Sequence, residues 1–171
     1  ASAKTPQITA GLVKATNDSS ETVRVRAVTS LGSAPSSDEV VTALRSALRD
    51  RSTSVRNNAI LTLGKHGARS RAAASELVTI LKTNSNVYSR SFAGTALGQI
   101  GSPTEDVVAA LVLAMGDGAK TVRAAAKHSL TILGDPAVSA LSRQMAGGSA
   151  GAREVLQTIG TPGALAVLGG K

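Results

Sequence analysis

The sequence predicts an all-α fold: a right-handed superhelix of about five stacked helix pairs. Two observations indicate it, namely a register of residues that recurs four times and apolar residues that follow helical spacing within each copy. A third is the near absence of large rings, since Tyr88 and Phe92 are the only aromatic residues in 171. A core of Ala, Val, Leu and Ile lets helices approach closely, which suits stacked helices better than one large globular core.

The register is anchored on four arginines that lie 32, 34 and 33 residues apart, at Arg24, Arg56, Arg90 and Arg123. An acid or its amide stands six residues before each arginine, at Asp18, Asp50, Asn84 and Asp117. An Ala follows each arginine by three residues, a Leu by seven, and a Pro or Gly by eleven. A fifth, shorter copy has Ser149 in the place of the arginine.

Each copy is predicted to form two helices. The first helices carry apolar pairs at i, i+4, namely Ile8/Leu12, Val40/Leu44, Ala74/Val78 and Val107/Leu111. The second helices carry the Ala and Leu columns and should end at glycines such as Gly67, Gly101 and Gly134. We therefore expect a single domain over 1–171, with repeats at about 5–35, 36–67, 68–101, 102–134 and 135–160 and a terminal helix at 162–169.

Three segments carry a family resemblance: VRNNAILTLGKHG at 55–67, RSFAGTALGQIG at 90–101 and VRAAAKHSLTILG at 122–134. They resemble HEAT repeats, most closely the short variety of bilin-lyase-like proteins, and the resemblance extends over about residues 5–169. It implies stacked helix pairs whose second helices line a concave face. It also implies that the repeated Asp and Arg residues bond turn backbone and neighbouring repeats. Asn84 breaks the acid column, so we expect the repeat interface at Asn84 to be weaker. The alternative interpretation of the arginine column is an anion-binding ladder.

A candidate binding face follows from the positions one, five and nine residues after each arginine, which share one stripe of the second helix. The resemblance places this stripe on the concave side. Its candidate residues are Thr29, Ser33, Asn57, Leu61, Lys65, Ser91, Thr95, Gln99 and His128. They are mostly small and uncharged, so the stripe does not have the pattern of a phosphate-binding groove. We predict a non-catalytic scaffold that presents this face to another protein.

The net charge of +8 raises a second possibility, which is binding to nucleic acid or another polyanion. The arginines outside the register that could form a basic edge on the second and third repeats are Arg45, Arg49, Arg51, Arg69 and Arg71. Nucleic-acid binders usually add aromatic stacking or a dense basic stripe, and neither pattern is visible. A solvated basic surface is the simpler interpretation.

No residues are predicted to carry catalysis, a metal or a cofactor. The chain has no cysteine, and its two histidines, His66 and His128, lie 62 residues apart without the His-Glu pairs of di-iron HEAT-like hydroxylases. A third function class is self-assembly, because the apolar segment at 163–168 and the helix with Ile8, Leu12 and Val13 would leave apolar ends. No apolar run reaches a membrane span, and the sequence leaves the compartment open.

Overall fold

The computed structural model describes residues 4–170, and the side chains from residue 6 onward. In this range the chain forms α-helices and two short 3-10 helices, at Gly67–Ala73 and Asp135–Ala137, and no strand. The α-helices are α1 (Lys4–Ala15), α2 (Glu21–Leu31), α3 (Asp38–Ala47), α4 (Thr53–Lys65), α5 (Ala74–Thr83), α6 (Val87–Ile100), α7 (Glu105–Ala114), α8 (Lys120–Leu133), α9 (Val138–Ala146), α10 (Ala150–Ile159) and α11 (Pro162–Leu168). None of the helices in 4–170 is both long and apolar enough to cross a bilayer.

The helices form two layers. The even layer is continuous, because α2, α4, α6, α8 and α10 each contact the next. In the odd layer α1 contacts α3, α5 contacts α7, α7 contacts α9 and α9 contacts α11, while the 3-10 helix Gly67–Ala73 touches both α3 and α5. This arrangement confirms the predicted all-α superhelix of stacked helix pairs.

The columns of the register occupy the core between the layers. Ala27, Ala59, Ala93 and Ala126 are buried, as are Leu31, Leu63, Leu97 and Leu130. In the odd layer the pairs Val40/Leu44 and Val107/Leu111 are buried as well. Ile8 departs from the expected pattern, because its side chain is 62% exposed. Within 4–170 no helix pair packs on the far side of α1, so this position has no surface to bury against.

Local sequence sets where the helices begin and end. Side chains of Ser, Thr or Asn cap α3, α4, α6, α7, α10 and α11 by accepting a hydrogen bond from a first-turn backbone N–H. At the other end of α6, Gly101 has φ 63°, in the left-handed region where a residue without Cβ is least strained. The caps separate the helices of each pair and keep the turns short.

The even layer depends on small residues where α6 crosses α8. A Cβ added at Gly98 would lie only 2.9 Å from the Cα of Ser129, whereas one added at Gly94 would meet Ala125 Cβ at an ordinary 3.5 Å. Between them, the Ser129 hydroxyl donates to the Gly94 carbonyl at 2.8 Å. The two backbones therefore touch at Gly98 but leave room for a methyl group at Gly94.

The same substitution should have opposite effects at these two positions. Gly98→Ala should lower the free energy of unfolding by about 1–3 kcal/mol, because the methyl group forces α6 and α8 apart. Gly94→Ala should raise it by up to about 1 kcal/mol through helix propensity. Urea unfolding followed by circular dichroism measures both. Equal effects at the two glycines would show that the α6–α8 contact is not this tight.

Candidate interaction surface

Each repeat arginine anchors the turn in front of its own helix. Its Nη1 donates to the carbonyls six and five residues earlier, at 2.7–3.2 Å in all four copies. In the first repeat these acceptors belong to Asp18 and Ser19, and Arg24 itself is buried. One guanidinium nitrogen thus donates hydrogen bonds to two turn carbonyls that have no partner within the helix.

Two of the arginines also join one repeat to the next. Arg24 donates from Nε and Nη2 to the two carboxylate oxygens of Asp50, at 2.7 and 3.0 Å. Arg90 does the same with Asp117, at 2.9 and 3.0 Å. These are bidentate, charge-assisted pairs, the strong form of an arginine–carboxylate contact. The structure thus brings together, as inter-repeat pairs, four of the eight residues in the repeated acid and arginine columns.

The acid column has a second task, which is to fold its own turn. One carboxylate or amide oxygen of Asp18, Asp50, Asn84 and Asp117 accepts the backbone N–H two residues later, at 2.8–2.9 Å. Asn84 therefore keeps the turn although it lacks the charge for a bridge. Its neighbour Arg56 donates Nη2 to Thr53 Oγ1 instead, at 2.7 Å.

The interface at Asn84 has polar contacts of its own. Arg45 on α3 donates from Nε and Nη2 to Glu76 on α5, at 2.9 and 2.6 Å. In the even layer the Ser89 hydroxyl donates to Asn57 Oδ1 at 2.6 Å. The lower stability expected at this interface stays a prediction, and these contacts oppose it.

The residues of the predicted binding stripe lie on α2, α4, α6 and α8, on the side turned away from the odd layer. Thr29, Leu61, Lys65, Gln99 and His128 are exposed on these helices, and Ser33 is exposed just after α2. The three half-buried members, Asn57, Ser91 and Thr95, instead make bonds within the layer. The Ser91 hydroxyl, for example, donates to the Thr121 carbonyl at 3.3 Å. We call this exposed stripe the even-layer face.

The even-layer face extends one turn further than the sequence pattern indicated. Two residues before each arginine stand the exposed side chains Thr22, Ser54, Tyr88 and Thr121. Each lies seven residues before the centre of the stripe, so i, i+7 spacing was the signal that would have found them. Tyr88 matters most, because it is 66% exposed and its ring rests against Phe92 with centroids 6.3 Å apart.

The arginines of the predicted basic edge do not behave alike. Arg45 is engaged with Glu76, and Arg51 donates to the Ser19 carbonyl of the preceding repeat at 3.1 Å. Arg49, Arg69 and Arg71 are exposed, and within 6–170 their side chains have no hydrogen-bond or ion-pair partner. Two of the five candidates thus already bond to neighbouring parts of the fold.

The two histidines do not come together. His66 is buried, with Nε2 3.1 Å from the Leu31 carbonyl and Nδ1 2.5 Å from the Ser36 hydroxyl. A carbonyl only accepts, so Nε2 carries a proton and His66 closes the end of α2 in the preceding repeat. His128 is exposed on α8. The side chains described contain no group of three or more His, Cys, Asp or Glu placed to hold a metal.

The ends of the array expose apolar side chains. Besides Ile8 on α1, Leu165 on α11 is 55% exposed, while Ala164 beside it is buried. Self-association through these ends stays a prediction.

The two-layer stack of helix pairs, with its arginine-anchored turns, defines an α-solenoid of the helical-repeat class. The family model described as HEAT repeats matches residues 9–86 and again 74–160. The chain therefore belongs to the HEAT-repeat family. No curated protein sequence matches it.

Solved structures of repeat proteins share the fold. An engineered protein superposes with a TM-score of 0.68 at 18% identity, covering 95% of this chain and 84% of its own. A designed armadillo repeat protein in complex with the peptide (KR)4 superposes with a TM-score of 0.62 at 21% identity, covering 95% of this chain and 84% of its own. A chain of the complex of CpcE and CpcF of phycocyanin lyase from Nostoc sp. PCC7120 superposes with a TM-score of 0.60 at 18% identity, covering 91% of this chain and 99% of its own. At these identities the likeness shows the fold alone.

The inter-repeat pairs make stability depend on pH. Hydrogen bonds from Arg24 lower the pKa of Asp50, and those from Arg90 lower the pKa of Asp117. A carboxylate whose pKa is lower in the folded protein stabilises the fold fully above its unfolded pKa, near about 4. That contribution is lost as the pH falls through the lower folded value.

We expect the double variant Asp50→Asn, Asp117→Asn to be less stable than the parent at neutral pH, and to lose less stability below about pH 4. The asparagines should keep the turns, as Asn84 does. Thermal unfolding followed by circular dichroism between neutral pH and pH 3 makes the comparison. Parallel curves for the two proteins would contradict a stabilising role for these pairs.

Proposed function

We propose that this protein is a non-catalytic scaffold that binds a segment of another protein along the even-layer face. The observation that carries the proposal is the exposed stripe shared by α2, α4, α6 and α8, in which Tyr88 and Leu61 stand among small polar residues. Tyrosine is enriched at binding hot spots because it offers a rigid, amphipathic surface. A rigid array of parallel helices repeats the same face at each step, which suits an extended segment.

The family supports a binding role more than a catalytic one. HEAT and armadillo arrays present extended surfaces, and the designed armadillo protein named above was solved with a bound peptide. The phycocyanin lyase subunits likewise form a complex of two proteins. By this analogy a protein segment is the partner that the even-layer face fits.

Charge suggests the composition of that segment. The armadillo complex contains a basic peptide, (KR)4. This chain instead has a net charge of +8, and Lys65 and His128 lie within its even-layer face. Electrostatic complementarity therefore favours a partner segment that carries acidic residues.

Two exposed threonines offer a matched test. Thr29 lies on the even-layer face and Thr79 on α5 in the odd layer, and each hydroxyl donates to the carbonyl four residues earlier. The Thr29 hydroxyl also lies 3.2 Å from Asn58 Oδ1 of the next repeat, so a melting curve must show that each variant is folded. Peptides enriched from a random display library provide the ligands. Thr29→Arg should weaken their binding about tenfold or more, while Thr79→Arg should leave it unchanged, as measured by fluorescence anisotropy. Equal binding by both variants would remove the even-layer face as the site.

A second candidate function is polyanion binding, favoured by the exposed and unpaired Arg49, Arg69 and Arg71. Contacts to phosphates alone supply salt-dependent affinity without sequence preference. Since Arg45 and Arg51 are bonded within the fold, this candidate has three free arginines and not five.

The triple variant Arg49→Ser, Arg69→Ser, Arg71→Ser separates this candidate from a general effect of charge. If the three arginines bind phosphates, duplex DNA should bind the parent at low salt, and the slope of log K against log salt should fall by about 2–3 in the variant. A control that replaces Lys14, Arg143 and Arg153 with Ser removes the same charge elsewhere. Equal slopes in both variants, or no binding at low salt, would remove the basic edge.

A further inference from the structure

A cleft of about 790 Å³ opens between the fourth and fifth repeats. Its walls come from the end of α7, the outer side of α8 and the start of α10. The charged side chains that line it are Lys120, Arg123, Lys127 and Glu154, and Leu113, 66% exposed, lies at its edge. The cleft lies at the fourth step of the array, where Arg123 of the fourth repeat faces the fifth repeat.

The cleft lacks an inter-repeat carboxylate because a glycine stands at the acid position of the last inter-helix turn. Five residues separate α1 from α2, α3 from α4 and α7 from α8, whereas three separate α5 from α6 (84–86) and α9 from α10 (147–149). The α5–α6 turn keeps an amide, Asn84, at the acid position. Where the longer turns carry an Asp two residues before the cap, this turn carries Gly147. No carboxylate therefore stands at the position that Asp50 and Asp117 occupy at the first and third steps.

Arg123 is held in the same way as the arginines that do bind a carboxylate. Its Nη1 donates to the carbonyls of Asp117 and Gly118, at 2.8 and 2.9 Å. Its Nε and Nη2, the two nitrogens that hold Asp50 or Asp117 in the other repeats, have no hydrogen-bond partner among the described residues. Arg56 differs, since its Nη2 is taken by Thr53.

We propose that this cleft binds the side-chain carboxylate of an Asp or Glu in a partner segment, with Arg123 holding it bidentately through Nε and Nη2. The proposal takes its kind of partner, a protein segment, from the function proposed above, but the site does not need the even-layer face. Lys120 supplies a second positive charge. Lys127 is already paired with Glu154, the single acid in the cleft.

The geometry favours a carboxylate over a phosphate backbone. Nε and Nη2 of Arg123 form a fork of two parallel donors, held in place by the two bonds from Nη1 to its own turn. Such a fork matches a planar carboxylate, and Arg24 and Arg90 bind Asp50 and Asp117 in this way. A nucleic acid needs several cations along its path, whereas this cleft is a single recess. The exposed Leu113 further suits a segment with an apolar residue next to the acid.

The direct test observes Arg123 in the unmodified protein by NMR. The probe is the peptide acetyl-GLELG-amide, and its isosteric control is acetyl-GLQLG-amide. We expect the Nε–Hε resonance of Arg123 to shift saturably with the first peptide and at least tenfold more weakly with the second. The Nε–Hε resonances of Arg24 and Arg90, whose forks are filled, should not move.

Two variants test the local charge without touching the turn anchor. Lys120→Glu and Lys14→Glu change the net charge equally, but only Lys120 lies in the cleft. The first should weaken peptide binding about fivefold relative to the second. Arg123→Lys, which keeps the charge and loses the fork, should weaken it about tenfold. A melting curve establishes whether each variant is folded. If Arg123→Lys does not fold, the comparison of Lys120→Glu with Lys14→Glu serves as the test.

Three results of the peptide and phosphate titrations would overturn the proposal. They are an Arg123 resonance that does not respond to the acidic peptide, equal affinity for both peptides, and inorganic phosphate shifting Arg123 as strongly at equal ionic strength. Equal affinities of Lys120→Glu and Lys14→Glu would do the same. If Thr29→Arg and Thr79→Arg bind peptides equally but the Arg123 resonance still shifts with the acidic peptide, the proposed function is refuted and the Arg123 site is not.

Discussion

The fold depends on one guanidinium per repeat that satisfies two turn carbonyls. A two-layer array needs a tight turn between the helices of each pair, and such a turn leaves carbonyls that neither helix can use. Arg24, Arg56, Arg90 and Arg123 solve this problem in one way, through Nη1. Each second helix therefore starts at a fixed position relative to the first, and the Ala and Leu columns meet in the core.

The other half of each guanidinium distinguishes one interface from another. At the first and third steps Nε and Nη2 close on an Asp of the following repeat. At the second step Asn84 replaces the acid, and at the fourth Gly147 replaces it. Because the stability of a repeat array is close to a sum of repeat and neighbour contributions, we expect the interfaces to differ in strength, and the fourth is the one at which we propose a ligand site.

Close packing in the even layer explains the character of the surface. The α6–α8 contact requires Gly98 and Ser129 at its centre, so the helices approach until their outer residues form a continuous, shallow face. That face carries few charges, while six arginines bond to turn carbonyls or to residues of a neighbouring repeat. The protein is accordingly suited to holding a segment by shape and a few anchors, of which Tyr88 and Arg123 are the most distinct.

The sequence alone determined the helix pairs and their order, because a register of Asp, Arg, Ala and Leu repeats at nearly constant spacing and each column has a role within its own turn or helix. It also predicted the stripe that holds Thr29 and Gln99, since helical periodicity is a local property. Only the tertiary structure decided which arginines bind a carboxylate of a neighbouring repeat. The bonds from Arg24 to Asp50 and from Arg45 to Glu76 join residues 26 and 31 positions apart. The open Nε and Nη2 of Arg123 reflect both Gly147 in place of an acid and the packing of α10 against α8, and no local pattern specifies that packing.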